Sequence, residues 1–356
     1  MKKILFRVDS STQIGSGHLM RCLTLANQLR DRSKILFVCR DLECNLSSLV
    51  KENSFDLILL PREDEDEKLI AYEKWLTVKP KIDAEQTKVL VTDLDVDYLI
   101  IDSYAIDEEW ENIIRPYVGK IMVIDDLANR KHNCDILLDQ NYYSDMDTRY
   151  HGLVHDNCQL LLGPQYVLLR EEFYEARKKM RIRDGIIKNI LVFFGGSDLT
   201  NETMKVLEVL KELNRQDIIV NVVAGSSNKN KNAIEWFCNQ NKNMNYLCQV
   251  NNMAAFMNQA DLGIGAGGST TWERCFLGLP TIVIAIAQNQ IKISEDCDEY
   301  GIIKYIGTQD NVNGVMLKNS IVKLCTDSEY VKNIVKKSCG LFGRLDKARV
   351  ANQLFE

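Results

Sequence analysis

Proline is scarce in this sequence, with 5 residues in 356, and glycine contributes only 19. These counts exclude collagen-like and low-complexity chains. Hydrophobic residues make up 46% of the chain and charged residues 26%, as in an ordinary globular protein. The whole chain is therefore expected to fold, and its length favours two domains over one.

Long apolar runs and an excess of basic residues are also missing. The first apolar run, Ile4–Phe6, is too short for the core of a signal peptide, and no run approaches the roughly 18 residues of a membrane helix. The net charge of −6 lacks the basic surface that nucleic acids or anionic lipids require. We therefore expect a cytoplasmic protein with no nucleic-acid partner and no membrane anchor.

The 11 cysteines include no Cys-x-x-Cys pair, so the simplest interpretation is reduced thiols in a cytoplasmic protein. His151, His155 and Cys158 have a spacing that could place three metal ligands on one face of a helix. Gly152 and Asn157 disfavour a helix there. No metal site is therefore expected.

Short apolar runs recur along the chain, with room for a helix or crossover between them. The first, Lys3–Val8, precedes a Gly/Ser-rich loop and a helical pattern over 19–29. The others are Ile35–Val38, Leu57–Leu60, Tyr98–Ile101, Ile121–Ile124, Ile190–Phe194, Ile218–Val223, Asp261–Ile264 and Thr281–Ile286. This rhythm predicts two α/β domains, each with a parallel sheet covered by helices, and a cleft between them. The expected bounds are 1–170 and 185–340, followed by a C-terminal helix at 341–356 that packs back across the cleft.

The segment from Asp9 to His18 lies between the first strand and the first helix, where open α/β sheets bind ligands. Gly15 and Gly17 allow the backbone to approach a ligand closely. His18 falls at the start of the helix, whose positive dipole end disfavours the imidazolium and favours a neutral ring that can accept a proton. His18 is therefore a candidate general base, and a helix-capping role is the alternative.

Two turns in the second half have the composition of phosphate-binding loops. They are Gly195-Gly196-Ser197-Asp198 and Gly268-Ser269-Thr270, the latter followed by Glu273, which could accept hydrogen bonds from a ribose diol. Ordinary strand-to-helix turns have a similar composition. Gly263, Gly265 and Gly268 match G-x-G-x-x-G, but no acidic residue follows about 20 positions later, so a dinucleotide site is rejected.

Acidic residues follow two strands of the first half. Asp102-Ser103-Tyr104 and Asp125-Asp126 are expected to point into the same cleft as His18. Paired carboxylates suit glycosidic acid–base chemistry, although a cap-and-turn role is equally compatible with the pattern. The continuous charge at residues 62–68 is interpreted as a solvated helix start without a function.

The longest motif, Arg7-Val8-Asp9-Ser10-Ser11, continues through Ile14-Gly15-Ser16-Gly17-His18 to Arg21-Cys22-Leu23-Thr24-Leu25-Ala26. Further motifs are Ile101-Asp102-Ser103-Tyr104, Cys134-Asp135-Ile136-Leu137-Leu138, Leu169-Arg170-Glu171-Glu172-Phe173 and Phe194-Gly195-Gly196-Ser197-Asp198. Over nearly its whole length, the chain resembles the UDP-sugar hydrolases of pseudaminic acid biosynthesis, which act on UDP-2,4-diacetamido-2,4,6-trideoxy-β-L-altropyranose.

The resemblance implies the two-domain Rossmann-like GT-B architecture of the MurG-type glycosyltransferases, with the sugar site in the N-terminal domain and UDP bound mainly by the C-terminal domain. It implies that His18 is the catalytic base and that Glu273 binds the ribose. The other substrate-binding residues that it implies are Asp9, Gly15, Gly17, Arg21, Tyr104, Gly195, Gly196, Ser197, Asp198, Gly268, Ser269, Thr270, Asn289 and Gln290. Relatives often have histidine where this chain has Ser103, so sugar selectivity could differ.

The reaction so implied is attack of water on the anomeric carbon with inversion, which releases UDP and 2,4-diacetamido-2,4,6-trideoxy-L-altrose. Because a diphosphate leaves as a stabilised anion, one base can suffice, and no metal or cofactor is expected. The expected partners are the UDP-sugar and UDP, and a monomer is expected. Two alternatives stay open: a MurG-like glycosyltransferase, and a non-catalytic UDP-sugar-binding module that would not need a base at His18.

Overall fold

The computed structural model describes residues 1–63, 69–344 and 346–355. The chain divides into two compact units. The first contains Met1–Asn141, Asp145–Leu168 and the C-terminal segment from Asp346, and the second contains Tyr142–Ser144 and the segment that begins at Leu169. Within the described ranges, no helix combines the length and the hydropathy that crossing a bilayer would demand.

A parallel sheet of seven strands forms the centre of the first unit. Its strands are β1 (Lys2–Val8), β2 (Ser33–Arg40), β3 (Asp56–Leu60), β4 (Val96–Asp102), β5 (Val118–Ile124), β6 (Ile136–Asp139) and β7 (Gln159–Leu162). Their order across the sheet is β3-β2-β1-β4-β5-β6-β7. The strand order reverses between β1 and β4, and open α/β sheets bind ligands beyond the carboxyl ends of strands at such a point.

Both faces of this sheet are buried, which explains why its strands are continuous apolar runs. Alternate residues of β1 enter different cores: Ile4 and Phe6 pack on one face and Leu5 on the other. The Phe6 ring stacks on Phe37 of β2 with the ring centroids 4.8 Å apart. The helices of this part are α1 (Gly17–Leu29), α2 (Ser48–Glu52), α3 (Pro80–Thr92) and α4 (Glu108–Ile114).

The second unit is built around a parallel sheet of six strands. The strands are β8 (Asn189–Phe193), β9 (Ile219–Ala224), β10 (Met244–Cys248), β11 (Leu262–Ala266), β12 (Thr281–Ala285) and β13 (Lys304–Thr308), in the order β10-β9-β8-β11-β12-β13. The helices are α5 (Glu171–Lys178), α6 (Glu202–Leu213), α7 (Lys231–Asn239), α8 (Met253–Gln259), α9 (Thr270–Phe276), α10 (Ile291–Tyr300), α11 (Gly314–Thr326) and α12 (Ser328–Gly340). Here the strand order reverses between β8 and β11.

The last helix, α13 (Arg349–Gln353), belongs to the first unit. It packs against α1, and Val350 and Leu354 are buried in the same core as Phe6. Lys2 Nζ donates to the carbonyl oxygen of Leu354 at 2.7 Å. Apolar burial and this hydrogen bond therefore hold the C-terminal segment on the unit that the N-terminus begins.

Every apolar run that the sequence predicts as a strand overlaps a strand of the structure. The prediction missed β6, β7, β10 and β13, which have four or five residues each. Two of them, β10 and β13, carry polar residues and only partial burial, so their apolar signal is weak. Of the charged run at 62–68, residues 64–68 lie outside the described residues.

Candidate active site

The loop after β1 is closed by its own backbone and ends at α1. The N–H of Gly15 donates to the carbonyl oxygen of Ser11 at 2.8 Å, and Ser11 Oγ accepts from two further N–H groups of the loop. Gly15 has φ 79°, a left-handed conformation that glycine reaches without strain. Since α1 begins at Gly17, His18 lies in its first turn, where the sequence predicts it.

His18 shares a buried carboxylate with Arg21, one helical turn along α1. Nδ1 of His18 lies 2.6 Å from Oδ1 of Asp102, the last residue of β4. Arg21 donates to both oxygens of this carboxylate, from Nε at 2.6 Å and from Nη2 at 2.7 Å. His18 is 8% exposed, Arg21 7% and Asp102 1%, so the three groups interact largely out of water. Charge-assisted bonds of this kind fix orientation strongly.

The charges at this site determine the role of each nitrogen of His18. Burial would raise the pKa of Asp102, but the charge of Arg21 and the hydrogen bonds from Arg21 and His18 outweigh it and hold that pKa well below its usual range. Asp102 is therefore ionised and accepts a hydrogen bond from Nδ1–H of His18. In the neutral ring, Nε2 then carries no proton and can accept one, as a general base requires.

A second carboxylate extends the network. Arg21 Nη1 donates to Oδ2 of Asp126 at 3.0 Å, and the hydroxyl of Tyr104 donates to Oδ1 of Asp126. Burial, together with the neighbouring Asp126 charge, raises the pKa of Tyr104 well above its usual value, so its hydroxyl keeps its proton. The structure thus brings together His18, Arg21 and Tyr104, which the sequence predicted as site residues.

Aromatic rings surround His18 on one side. The His18 ring is edge-on to Tyr104 at 4.8 Å and to Trp75 at 5.8 Å between centroids. The rings of Trp75 and Tyr104 are stacked with their centroids 5.2 Å apart, and the Tyr72 ring contacts both. Trp75 and Tyr72 lie on a short 3-10 helix, Ala71–Trp75, that the sequence analysis did not single out. We refer to Tyr72, Trp75 and Tyr104 as the aromatic wall.

Two other carboxylates of the predicted site are engaged by the protein itself. Oδ1 of Asp9 accepts from the N–H of Arg40 at 2.6 Å and lies 2.7 Å from Nη1 of Arg7. Asp125 accepts from Nη1 of Arg130 at 2.8 Å and from the hydroxyl of Tyr150. Asp125 is therefore not part of the His18 network, whereas Asp126 belongs to it through Arg21 and Tyr104.

In the second unit, the turn after β8 is packed against the turn after β9. Gly195 has φ 90°, and a Cβ on Gly225 would lie 2.1 Å from the carbonyl oxygen of Gly196. Ser227 Oγ also donates to that oxygen, at 2.9 Å. Only a glycine at position 225 allows the two turns to approach this closely. Gly225 was not among the residues predicted from the sequence.

The residues that end this turn have different surroundings. Asp198 is buried, and its two carboxylate oxygens accept from the N–H groups of Glu202 at 2.9 Å and Thr203 at 3.0 Å. It therefore caps α6 and fixes the turn. Ser197 is only partly buried.

The turn between β11 and α9 carries Gly268 and Ser269, Thr270 begins α9, and Glu273 lies in the first turn of that helix. Gln290 ties this turn to the next one, because its Oε1 accepts from the N–H of Gly267 at 3.2 Å and from that of Ile286 at 3.0 Å. Asn289 lies beside it on an exposed 3-10 helix, Gln288–Gln290.

Glu273 has a cationic partner that no sequence pattern assigned. Nη2 of Arg170 lies 3.3 Å from Oε1 of Glu273, and Nη1 of Arg170 lies 2.8 Å from Oε1 of Glu172. Burial raises the pKa of Glu273, and the charge of Arg170 opposes that rise. The Leu169–Phe173 motif was the one signal that could have pointed to Arg170.

The remaining candidates do not converge on a metal site. His151 and His155 are exposed in turns, and Sγ of Cys158 lies 3.6 Å from Sγ of Cys134. In the part of the chain that the structure describes, no group of three or more His, Cys, Asp or Glu side chains could hold a metal ion. Gly265 lies within β11, where a Cβ would be 2.2 Å from the carbonyl oxygen of Phe193, so close packing of strands explains this glycine.

Sequence comparison identifies the family. Over 291 residues the chain is 33% identical to the UDP-2,4-diacetamido-2,4,6-trideoxy-beta-L-altropyranose hydrolase of Campylobacter jejuni, a match that covers 81% of this chain and 93% of that protein. The chain belongs to this hydrolase family. Residues 190–329 of this member also match the glycosyltransferase family 28 C-terminal domain.

An uncharacterized protein of Methanocaldococcus jannaschii is 32% identical over 308 residues, which cover 84% of this chain. The match spans only 58% of that longer protein. Among solved structures, MurG of Acinetobacter baumannii superposes with a TM-score of 0.68 over 100% of this chain and 99% of its own, at 12% identity. The predicted GT-B fold is therefore confirmed for this member of the hydrolase family.

Proposed function

We propose that this protein hydrolyses UDP-2,4-diacetamido-2,4,6-trideoxy-β-L-altropyranose to UDP and the free sugar. Water attacks the anomeric carbon, a new C–O bond forms there, and the bond from that carbon to the diphosphate oxygen breaks. UDP takes the electron pair, the proton of the water goes to His18, and the configuration at the anomeric carbon inverts. Membership of the hydrolase family supports the substrate.

The observation that carries the mechanism is the contact between His18 and Asp102. Nδ1 of His18 is 2.6 Å from an ionised carboxylate that Arg21 holds on both oxygens. This arrangement supports Nε2 of His18 as the proton acceptor for the attacking water. A positioned base of this kind contributes roughly 10²- to 10⁴-fold to the rate.

UDP binding is assigned to the second unit. The turns after β8 (Gly195–Asp198) and β11 (Gly268–Thr270) offer backbone N–H groups to the diphosphate. Glu273, held beside Arg170, accepts hydrogen bonds from the ribose hydroxyls. Asn289 and Gln290 complete this set. The scheme uses no metal and no cofactor, because backbone dipoles stabilise the leaving diphosphate and a histidine activates the water.

In the first unit, Arg21 and Tyr104 hold Asp126 and face the sugar, and Asp9, Gly15 and Gly17 shape the loop around it. All 11 cysteines are free, which supports a reducing compartment such as the cytoplasm. The protein is proposed to act as a monomer on its UDP-sugar, with no acceptor other than water.

Hydrolysis in ¹⁸O-labelled water tests the bond that breaks. The label is expected in the free sugar and not in UDP, and NMR before mutarotation should show the inverted anomer first. His18→Asn should retain UDP affinity and lose most turnover. Label in UDP, or first release of the retained anomer, would overturn the mechanism. Release of UDP only after an acceptor alcohol is added would favour a glycosyltransferase instead.

A further inference from the structure

A cavity of about 120 Å³ lies in the first unit beside the loop that precedes His18. The cavity is lined by Ser11, Thr12 and Gln13 of that loop and also by Lys74, Trp75 and Thr77. Its lining residues belong to the first unit and are not among those assigned to UDP. Nothing in the mechanism above uses it.

Trp75 connects this cavity to the proposed base. Its indole lines the cavity, and its ring centroid lies 5.8 Å from that of His18. The aromatic wall therefore continues from His18 to the edge of the cavity. A substituent of a sugar whose anomeric carbon is within reach of His18 can extend along Trp75 into this space.

The lining of the cavity is mixed in chemistry. Thr12 and Gln13 offer a hydroxyl and an amide, and the ammonium group of Lys74 offers hydrogen-bond donors. Trp75 and Leu42 supply apolar surface. An acetamido group needs all three kinds of contact: a donor for its carbonyl oxygen, an acceptor for its N–H and an apolar surface for its methyl group. A hydroxyl group would leave the apolar surface unused.

The size of the cavity fits such a group. Its volume of about 120 Å³ is several times the roughly 10–15 Å³ that a single water requires, so the four non-hydrogen atoms of an acetamido group can enter it. A free amino group would be protonated, and the lining presents it with two cations, Lys74 and Arg62, against one carboxylate, Glu43, so it is the poorer occupant. Arg62 lies 3.6 Å from Glu43, which offsets part of its charge.

We propose that this cavity is the subsite for one acetamido group of the sugar and that Trp75 and Thr12 are specificity-determining residues. This inference rests on the proposed hydrolysis of a UDP-diacetamido sugar. The wall and the cavity select the acetamido-bearing substrate, and the His18 network acts on its anomeric carbon. Loss of the acetamido group should therefore reduce kcat/KM without weakening the binding of UDP.

The test compares Thr12→Leu, which replaces a hydroxyl of the lining with a larger apolar side chain, with Thr92→Leu, a substitution at an exposed threonine of α3 outside the cavity. Each is assayed with the diacetamido substrate and with two analogues that carry a free amino group at C2 or at C4. The wild type should lose at least about ten-fold in kcat/KM on one analogue. Thr12→Leu should lose about ten-fold on the parent substrate and no longer discriminate against that analogue, with the UDP inhibition constant unchanged.

Thr92→Leu should behave as the wild type, and Trp75→Ala should also lose discrimination. Equal losses on all three substrates, or an unaltered Thr12→Leu enzyme, would overturn the subsite. Inhibition of the wild type by inorganic phosphate that Thr12→Leu abolishes would make the cavity an anion site instead. If the wild type releases no UDP from the parent substrate, the proposed function itself fails. Turnover that depends on His18 but not on Thr12 or Trp75 overturns the subsite alone.

Discussion

Nδ1 of His18 and Oδ1 of Asp102 lie 2.6 Å apart, although the two residues are 84 positions apart in the chain. The strand order explains their meeting, because β1 and β4 are neighbours in the sheet and both end at the same edge. The loop after β1 brings in His18, and β4 ends in Asp102. Arg21 keeps this carboxylate ionised, so it can orient the ring that accepts the proton.

Asp102→Asn should therefore lower kcat by roughly 10²- to 10⁴-fold, because the amide no longer stabilises a proton on Nδ1 of His18. UDP affinity should not change. Steady-state kinetics and UDP calorimetry measure the two effects. Asp97→Asn, an exposed carboxylate on the same strand, is the control and should retain activity. Full turnover by Asp102→Asn would show that His18 works without its carboxylate.

Glu273→Ala should weaken UDP binding by about 1.5–3 kcal/mol, the value typical of hydrogen bonds to a charged group. Arg170→Gln should weaken it more at pH 6 than at pH 8. Without the Arg170 charge, the pKa of the partly buried Glu273 rises further, and the ionised form is lost as the pH falls. Calorimetry at both pH values measures this, with Arg170→Lys as the control. Tighter binding by Arg170→Gln at both pH values would show that Arg170 competes with the ribose.

Asp139 should make the stability of the first unit depend on pH. Burial, with a contribution from Asp126, raises its pKa to about 8. The unfolded chain releases this proton near pH 4, so the folded state loses stability as the pH rises from about 4 towards 8. Asp139→Asn should therefore melt at a higher temperature than the wild type at pH 8.5, and the difference should shrink at pH 5. Asp147→Asn, which is exposed, should show no such trend.

Gly225→Ala should damage the diphosphate turn. The new Cβ would lie 2.1 Å from the backbone oxygen of Gly196, so the turn must move. We expect UDP affinity to fall about ten-fold or more, as misplaced phosphate donors imply. Gly340→Ala, with nothing within 4 Å of its Cβ, is the matched control and should bind UDP normally. Equal affinities for the two variants would remove this turn from the UDP site.

The sequence by itself determined the local parts of this protein. Apolar runs predicted the long strands, and the loop composition placed His18 at the start of α1 and Glu273 in the first turn of α9. These signals are readable because strand, turn and helix propensities act over a few residues. The short strands β10 and β13 were not predicted, because their polar and partly buried residues leave little apolar pattern in the sequence.

The tertiary structure decided which distant side chains meet. Asp102 ends β4 and Asp125 directly follows β5 of the same sheet, yet only Asp102 contacts His18, whereas Asp125 accepts a hydrogen bond from Arg130. The pairing of Arg170 with Glu273 spans 103 residues. Such contacts depend on strand order and on helix packing, which bring chain segments together over distances that no local pattern encodes. The sequence thus supplied the candidate groups, and packing assigned each its partner.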